Sequence, residues 1–266
     1  APALEDILHG KLNQLETEGD GEDDEGRSFD FVDQVRSDIQ SLVDRTKRLD
    51  PKDPKADAFM KVIFDKLAMS KNKVLVFSTF RHTLRYLVGK LKAADIRFGL
   101  VHGGVPDEER ADFRRRFSLH KDDPDALDIL MSSEVGCEGL DFQFADCMVN
   151  YDLPWNPMRI EQRIGRIDRY GQQSETVAIV NLVTPGTIDA EIYDRCLSRI
   201  GVFQHAIGGN EEILGDITKE LHDIAESFSL SEEERGRRLQ QLSDNKIRQI
   251  EEEQRLEERQ GELFGL

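Results

Sequence analysis

The apolar run Val74–Phe77, with the sequence VLVF, is the feature that most constrains the fold. An unbroken apolar run of strand length predicts a strand covered on both faces, which is the setting of a parallel sheet. Similar runs at 96–101, 127–131, 147–151 and 177–183 predict four further strands. Helical patterns at 81–91 and 106–117 separate the first three strands. This alternation predicts an α/β domain built on a parallel sheet.

Segments of different composition flank this domain. The predicted boundaries are an N-terminal helical and acidic linker segment at 1–52, the α/β domain at 53–209 and a helical extension at 210–266. Asp53 and Pro54 supply the cap and the first turn of the helix that opens the domain. The stretch at 16–26, ETEGDGEDDEG, predicts a disordered linker or loop, with a functional acidic tail as the alternative.

The helical extension contains two predicted helices. The first has an apolar stripe that includes Ile217, Leu221 and Ile224. The second is capped at Ser231 and is rich in Glu and Arg, with few apolar positions. We therefore expect it to be a solvated helix, with a helix that braces a neighbouring domain as the alternative.

Charge and cysteine content limit the classes of function. The net charge of −17 argues against indiscriminate binding of nucleic acid, yet residues 71–117 carry eleven Lys or Arg against five acids. The three cysteines form no C-x-x-C pair, and the histidines show no paired ligand spacing, so we expect a reducing, cytoplasmic setting and no metal site. No apolar run approaches the length of a membrane span.

Three arginines in the stretch 160–170, IEQRIGRIDRY, mark the main candidate site. If the stretch is one helix, Gln162, Arg166 and Arg169 lie at i, i+4 and i+7 on one face. Guanidinium groups keep their charge, and their fork matches phosphate oxygens. An exposed helix whose arginines pair with Glu161 and Asp168 remains the alternative.

The motifs of the surrounding stretch carry a resemblance. Residues 138–141 read E-G-L-D, residues 155–157 read W-N-P, and residues 162–172 read Q-R-I-G-R-I-D-R-Y-G-Q. This order resembles motifs V and VI of the second RecA-like lobe of superfamily 2 ATPases, in their Swi/Snf form, and most of all the bacterial RapA-like branch. Asp141 stands where many members of that family have Asn. The resemblance implies a P-loop NTPase-type fold.

The resemblance also implies roles in ATP hydrolysis. Arg166 and Arg169 correspond to the arginines that reach the γ-phosphate of ATP across a cleft between two lobes, and we expect them to be catalytic. Binding of the nucleotide, ATP with Mg²⁺, is expected at Gln162, Arg163, Gly139 and Asp141. No G-x-x-x-x-G-K-[ST] loop occurs in the sequence, so we expect a separate first RecA-like lobe to hold the phosphates and the metal.

Nucleic-acid contacts are implied at the loops that follow the strands. The candidates are Ser78, Thr79, Arg81, His102, Gly103, Arg110, Ser132, Ser133 and Trp155. Hydroxyls, glycine amides and arginines of this kind bind the phosphate backbone without reading the bases. Each serine and the histidine could instead complete the local structure, and Trp155 could be a core anchor rather than a wedge against the duplex.

These observations favour the C-terminal half of an ATP-dependent translocase on double-stranded DNA. A DNA-bound protein such as RNA polymerase, or invading DNA, could be its client. One alternative is a strand-separating DNA or RNA helicase, against which the W-N-P and the G-Q ending of the last motif argue. A second is a non-catalytic docking module that uses the helical tail. A nicotinamide enzyme is disfavoured because no G-x-G-x-x-G follows a strand.

Overall fold

The structure is a computed structural model that describes residues 28–48, 52–133, 135–137, 139–197, 211–227 and 229–264. The chain divides into two compact units, residues 1–56 and 57–266. The predicted acidic linker at 16–26 lies outside the described residues. In the first unit the described structure includes helix α1, Ser28–Lys47, and the start of the next helix. All the candidate site residues belong to the second unit.

Five parallel strands form the sheet, and all five predicted strands are confirmed. They are β1 (Val74–Phe77), β2 (Phe98–Val101), β3 (Ile129–Ser132), β4 (Cys147–Asn150) and β5 (Ala178–Asn181). Their order across the sheet is β2-β3-β1-β4-β5. The three inner strands are buried at every position, whereas β2 and β5 at the edges are partly exposed. The unbroken run VLVF therefore marks the centre of the sheet, as expected for a strand covered on both faces.

Helices connect and cover these strands. In chain order they are α2 (Pro54–Leu67), α3 (Arg81–Ala93), α4 (Asp107–Ser118), α5 (Pro157–Ile164), α6 (Ile188–Ile192), α7 (Glu211–Glu226) and α8 (Glu232–Phe264). As predicted, the Asp53 carboxylate caps α2, where it accepts a hydrogen bond from the Ala56 amide at 2.9 Å. None of the described helices is both long enough and apolar enough to cross a membrane.

Alternate residues of β1 contribute to two cores, one on each face of the sheet. On one face Val74 and Val76 pack with Phe59 and Ile63 of α2 and with leucines of α3. On the other face Leu75 and Phe77 pack in a cluster that includes Phe117, Phe142 and Ile167. The second cluster matters for the site, because Ile167 lies between the two candidate catalytic arginines.

A polar cluster fixes the amino end of the sheet, away from the candidate nucleic-acid loops. The Asp128 carboxylate accepts hydrogen bonds from Arg97 at 2.8 and 2.9 Å and from Asn72 at 2.6 Å. The Lys73 ammonium donates to the Leu127 carbonyl at 2.6 Å, and burial lowers its pKa. This cluster holds the starts of β1 and β3 together.

Two helical segments after β5 differ from what their sequence patterns indicate. The spacing of Ile188, Ile192 and Cys196 predicts a long helix from 187 to about 207, but α6 has five residues and passes into a π-helix, Tyr193–Leu197, and residues 198–210 lie outside the described part. The predicted solvated helix α8 packs its first half against α7. The buried residues of this third cluster are Ile160, Ile192, Leu197, Ile217, Leu221, Ile224, Leu239 and Leu242. The first half of α8 is therefore packed rather than solvated, and the alternative of a helix that braces a neighbouring domain stays a prediction.

The N-terminus of α8 follows its sequence signal. Ser231 accepts a hydrogen bond from the Glu234 amide at 3.3 Å, and the Ser231 amide donates to the Glu234 carboxylate at 3.0 Å. These reciprocal bonds form a capping box. They also lower the pKa of Glu234. The cap fixes where the long helix begins and therefore which of its residues face α7.

Candidate functional site

The loop after β1 is held at the carboxyl end of the sheet by an aspartate that follows β4. The Ser78 hydroxyl donates to the Asp152 carboxylate, and the Thr79 amide donates to its Oδ1 at 2.7 Å. Ser78 is completely buried, whereas Thr79 is exposed. The structure therefore gives Ser78 a supporting role and leaves Thr79 as the residue of this pair that can reach a ligand.

The loop after β2 brings together Arg81 and His102, two predicted nucleic-acid contacts. The His102 Nδ1 atom lies 3.2 Å from Arg81 Nη2 and 3.1 Å from the Gly104 amide. Since both neighbours can only donate, Nδ1 is an acceptor and the ring proton of the neutral imidazole lies on Nε2. Arg81 and Gly103 are exposed beside this ring. The cluster offers several N–H donors, the kind of group that binds phosphate.

The residues after β3 separate into a buried and a partly exposed serine. Ser132 is buried and its hydroxyl donates to the Ser133 carbonyl at 2.6 Å, while the Ser133 amide donates to the Val101 carbonyl at 3.1 Å. Ser132, a predicted nucleic-acid contact, therefore stabilises the turn from inside. Ser133 remains accessible at the same edge.

Arginines from two elements surround the loop 136–141 that follows this turn. From α4, Arg110 Nε donates to the Gly136 carbonyl at 3.0 Å and Arg114 Nε donates to the Asp141 carbonyl at 2.9 Å. Arg110 also forms an ion pair with Asp107 at 3.0 Å. The predicted nucleic-acid contact Arg110 thus supports the loop. Arg114 was missed by the sequence reasoning, although it lies one helical turn from Arg110.

The predicted helix over 160–170 is wrong in its second half. Helix α5 ends at Ile164, and Arg166, Ile167 and Arg169 lie on a turn that closes at Gly171, whose φ is +91°. Two contacts anchor this turn, because Ile167 is buried and the Arg166 carbonyl accepts from the Phe142 amide at 2.8 Å. Because the helix ends at Ile164, Gln162, Arg166 and Arg169 do not form one helical face.

Arg166 and Arg169 both reach the loop 136–141. Arg166 Nη1 lies 3.4 Å from the Leu140 carbonyl, and Arg169 forms an ion pair with the Asp141 carboxylate. The Arg169 side chain is 45% exposed. An exposed pair of this kind contributes only about 0–1 kcal/mol to stability, so a phosphate could displace the carboxylate. The polar role of Asp141 is thus to hold Arg169 at this loop.

Gln162 and Gly139, which the sequence also predicts to bind nucleotide, are both exposed. Gln162 lies on the exposed side of α5, and Gly139 has a φ of +75° with no atom within 4 Å of the place that a Cβ would take. Glu138, which precedes this glycine in the motif, lies outside the described residues. Gln172 of the same motif donates to the Ala145 carbonyl at 3.0 Å and closes the arginine turn from within.

Arg163 differs from the other two arginines because it is only 2% exposed. Its Nη1 donates to Asn150 Oδ1 and to the Asp152 carbonyl, both at 2.9 Å, and its Nη2 donates to the Thr79 hydroxyl at 3.2 Å. Its guanidinium also lies 5.2 Å from the centre of the Phe77 ring. Arg163, which the sequence predicts to bind nucleotide, is turned to the interior by α5 together with Ile160.

Trp155 packs against the helical extension, as expected for a core anchor. Its indole Nε1 donates to Asp189 Oδ1 at 2.8 Å, and its ring lies 4.8 Å from the imidazole of His222 on α7. The side chain is partly buried against the third cluster. Asn156, the next residue, caps α5 by accepting from the Met158 amide at 2.9 Å. The W-N-P motif therefore joins the helical extension to the helix that leads into the arginine turn.

The arrangement places groups suited to phosphate at two places. Thr79, Arg81, His102 and Gly103 line the carboxyl end of the sheet, and Arg166 and Arg169 contact the loop 136–141 from the turn after α5. Within the described ranges no three His, Cys, Asp or Glu residues are grouped so as to hold a metal ion. The parallel five-stranded sheet with helices on its faces is an α/β fold of the RecA-like kind, as predicted.

Comparison with known proteins shows what this domain is similar to. Residues 54–171 match the family model of the helicase conserved C-terminal domain. The fold is similar to the crystal structure of the C-terminal part of the Fun30 ATPase domain, with a TM-score of 0.50 and 20% identity over 71% of this chain and 60% of that one. The resemblance inferred from the motifs is confirmed.

Two curated relatives give the same picture. The chain is 34% identical over 176 residues to the uncharacterized ATP-dependent helicase YqhH of Bacillus subtilis, covering 64% of this chain and 30% of that protein. It is 37% identical over 115 residues to the RNA polymerase-associated protein RapA of Serratia proteamaculans, covering 43% of this chain and 12% of RapA. The chain thus matches less than a third of the length of either relative.

Proposed function

We propose that this chain is the second RecA-like lobe of a Swi/Snf-type, RapA-like motor that moves along double-stranded DNA at the expense of ATP. The observation that carries the proposal is the meeting of Arg166 and Arg169 on one loop, where both forks are held by weak partners. Such forks stabilise the charge that develops on a γ-phosphate during transfer. Residues 53–209 would form the lobe and residues 210–266 its helical brace.

ATP with Mg²⁺ would be shared between this lobe and a first lobe. The donors of Arg166 and Arg169 suit phosphate oxygens, but the sequence has no Walker loop to enclose the β- and γ-phosphates. Asp141 contacts Arg169, Gln162 lies on the helix that precedes these arginines, and together with Gly139 they would line the same cleft. The first lobe would hold the metal, and this chain would supply the positive charge in the transition state.

Nucleic acid would bind at the carboxyl end of the sheet. Thr79, Arg81, His102, Gly103 and Ser133 offer hydroxyl and N–H donors at that edge. Because such groups read the phosphate backbone, binding should not depend on sequence. Duplex DNA is proposed rather than single strands on the strength of the Swi/Snf-like motifs.

The ATPase test uses this chain joined to its first lobe, with and without duplex DNA. We expect Arg169→Ala to lower the rate of ATP hydrolysis by about 10³–10⁵-fold, the usual effect of removing such an arginine, and to leave duplex affinity unchanged. Arg115→Ala is the matched control, because Arg115 is an exposed arginine paired with Asp112 on α4. Hydrolysis near the usual lower bound of about 1 s⁻¹ by the 266-residue chain alone would refute the shared site.

A strand-separating helicase is the second candidate, because the relative YqhH is named an ATP-dependent helicase. A forked duplex and a triplex-displacement substrate distinguish the two activities. A translocase displaces the third strand without separating the fork, whereas a helicase separates the fork.

RNA polymerase is the proposed client, because relatives of this chain are named RNA polymerase-associated proteins. Cytoplasmic location follows from that client. Co-purification of RNA polymerase with the tagged two-lobed protein from nuclease-treated cells tests the proposal, and loss of the polymerase after nuclease treatment would show that DNA alone joined them.

A further inference from the structure

Arg163 lies between the two proposed phosphate-binding places and belongs to neither. Its guanidinium spans the carboxyl ends of β1 and β4, through Thr79 on one side and Asn150 and Asp152 on the other. We propose that Arg163 is a positioning residue that fixes the Thr79 hydroxyl for a duplex phosphate. This inference rests on the proposed binding of nucleic acid at that edge.

The direction of the hydrogen bonds supports this role. A guanidinium can only donate, so the Thr79 oxygen accepts from Arg163 and the hydroxyl proton stays available for an acceptor outside the protein. The Thr79 amide is fixed separately, by the Asp152 carboxylate at 2.7 Å. With its amide and its oxygen both held, Thr79 presents one donor in one direction at an exposed position. A phosphate oxygen is an acceptor of the required kind.

The other end of Arg163 is held firmly enough to serve as a support. Asn150 accepts from Arg163 and in turn donates to Asn181 Oδ1 of the edge strand at 2.8 Å. The guanidinium carbon lies over the Phe77 ring, 5.2 Å from its centre. The ends of β1, β4 and β5 therefore hold one buried side chain, and little freedom remains for its fork.

Arg163 also connects the two proposed sites along the chain. It lies on the last turn of α5, and the arginine turn begins directly after that helix. A shift of α5 would therefore move the partner of Thr79 and the backbone of Arg166 together. These contacts need an arginine and not only a positive charge. A lysine would carry the same charge, but it has no fork that could reach Asn150 and Thr79 at once.

A double-mutant cycle on duplex binding by the 266-residue chain tests the proposal. The variants are Arg163→Lys, Thr79→Val and the double variant, with a fluorescein-labelled duplex followed by anisotropy. We expect Arg163→Lys to weaken binding about 10-fold, the size of one charge-assisted hydrogen bond. In the Thr79→Val background the same change should have less than about a twofold effect, because coupled residues are not additive.

The salt dependence separates positioning from direct contact. The negative slope of log K against log salt becomes shallower by about 0.9 for each phosphate contact that is lost. Arg81→Ala should therefore make the slope shallower, and Arg163→Lys should leave it unchanged. The role of Arg163 would be overturned by additive effects in the cycle, by an unchanged affinity of Arg163→Lys or by a shallower slope of that variant. Failure of the unmodified chain to bind duplex would instead refute the proposed nucleic-acid site.

Thermal unfolding shows whether each variant is folded at the assay temperature. If Arg163→Lys does not fold, the cycle is run with Asn181→Ala, which releases Asn150 from the edge strand without touching the loop. A loss of affinity that disappears in the Thr79→Val background supports the proposal, and an additive or absent effect overturns it.

Discussion

At the scale of single residues, Gly136 is the position with the least room. A Cβ there would overlap the Val101 carbonyl oxygen and lie 2.7 Å from the Ser132 hydroxyl. We expect Gly136→Ala to lower the free energy of unfolding by about 1–3 kcal/mol, as for other overpacked sites, because the nearest obstacle is backbone. Chemical denaturation measures the change.

Gly89 provides the control for this prediction. It lies within α3 and has no atom within 4 Å of its Cβ direction. Gly89→Ala should therefore raise the free energy of unfolding by about 0.5–1 kcal/mol through helix propensity. Equal effects of the two substitutions would show that the loop after β3 is not packed as described.

Two buried thiols predict a specific pH dependence. Burial raises the pKa of Cys137 and of Cys147 to about 11. In the unfolded chain a thiol titrates near about 8.5, so between this pH and 11 the unfolded state releases protons that the folded state retains. The folded state therefore loses stability as pH rises through this window.

The measurement is the free energy of unfolding across that window for the natural chain and for Cys137→Ala with Cys147→Ala. The variant should be less stable at neutral pH but should lose less stability on going to alkaline pH. Equal slopes of the free energy of unfolding against pH in the two proteins would show that the thiols are accessible to solvent. The lowered pKa of Lys73 acts in the opposite direction, and it cancels in the comparison because both proteins contain it.

The residue types of the motif predicted which arginines lie near one another, but not the different role of each arginine. The motif placed Arg166 and Arg169 together, and the structure also has both at the loop 136–141. Charge could not distinguish the buried Arg163 from these two arginines, because the burial of its side chain depends on where α5 ends and on which side of α5 faces Phe77. The supporting residue Asp152 was missed since one acid after a strand has no distinctive spacing.

At the scale of elements, α7 and α5 meet at the only tryptophan of the chain. Leu221 is fully buried in the cluster that Trp155 packs against. Leu221→Ala should lower the free energy of unfolding by about 2–5 kcal/mol, the usual range for such a truncation. It should also shift Trp155 emission to longer wavelength as the indole becomes more hydrated.

The matched control for that experiment is Lys219→Ala, an exposed position on the same helix. It should change neither the stability nor the emission by a measurable amount. An unchanged emission in Leu221→Ala would show that Trp155 does not depend on α7.

Strands were easier to predict than helix ends. Buried strands of a parallel sheet are continuous apolar runs, so VLVF and its four counterparts were visible in the sequence. The end of α5 was not, because Ile167 continues the apolar spacing of a helix although it packs on the sheet from a turn. The π-helix Tyr193–Leu197 was also not predicted, since no residue pattern distinguishes it from the α-helix that precedes it.

At the scale of the whole molecule, the net charge of −17 opposes binding to DNA except at a local basic surface. If three phosphates are contacted, log K should fall with log salt with a slope of about −2.7. Between about 50 and 200 mM salt the affinity would then fall about 40-fold. Anisotropy titrations over this range measure the slope, and a value near zero would exclude a phosphate-binding surface.

The position of β1 in the sheet has a consequence for synthesis on the ribosome. Among the described strands it pairs with β3 and β4, and these partners begin at Ile129 and Cys147, later in the chain. At about 5–20 residues per second, a nascent chain would carry VLVF without its neighbours for several seconds. Chaperones that recognise short apolar segments would meet this polypeptide there first, before translation has delivered the second half of the sheet.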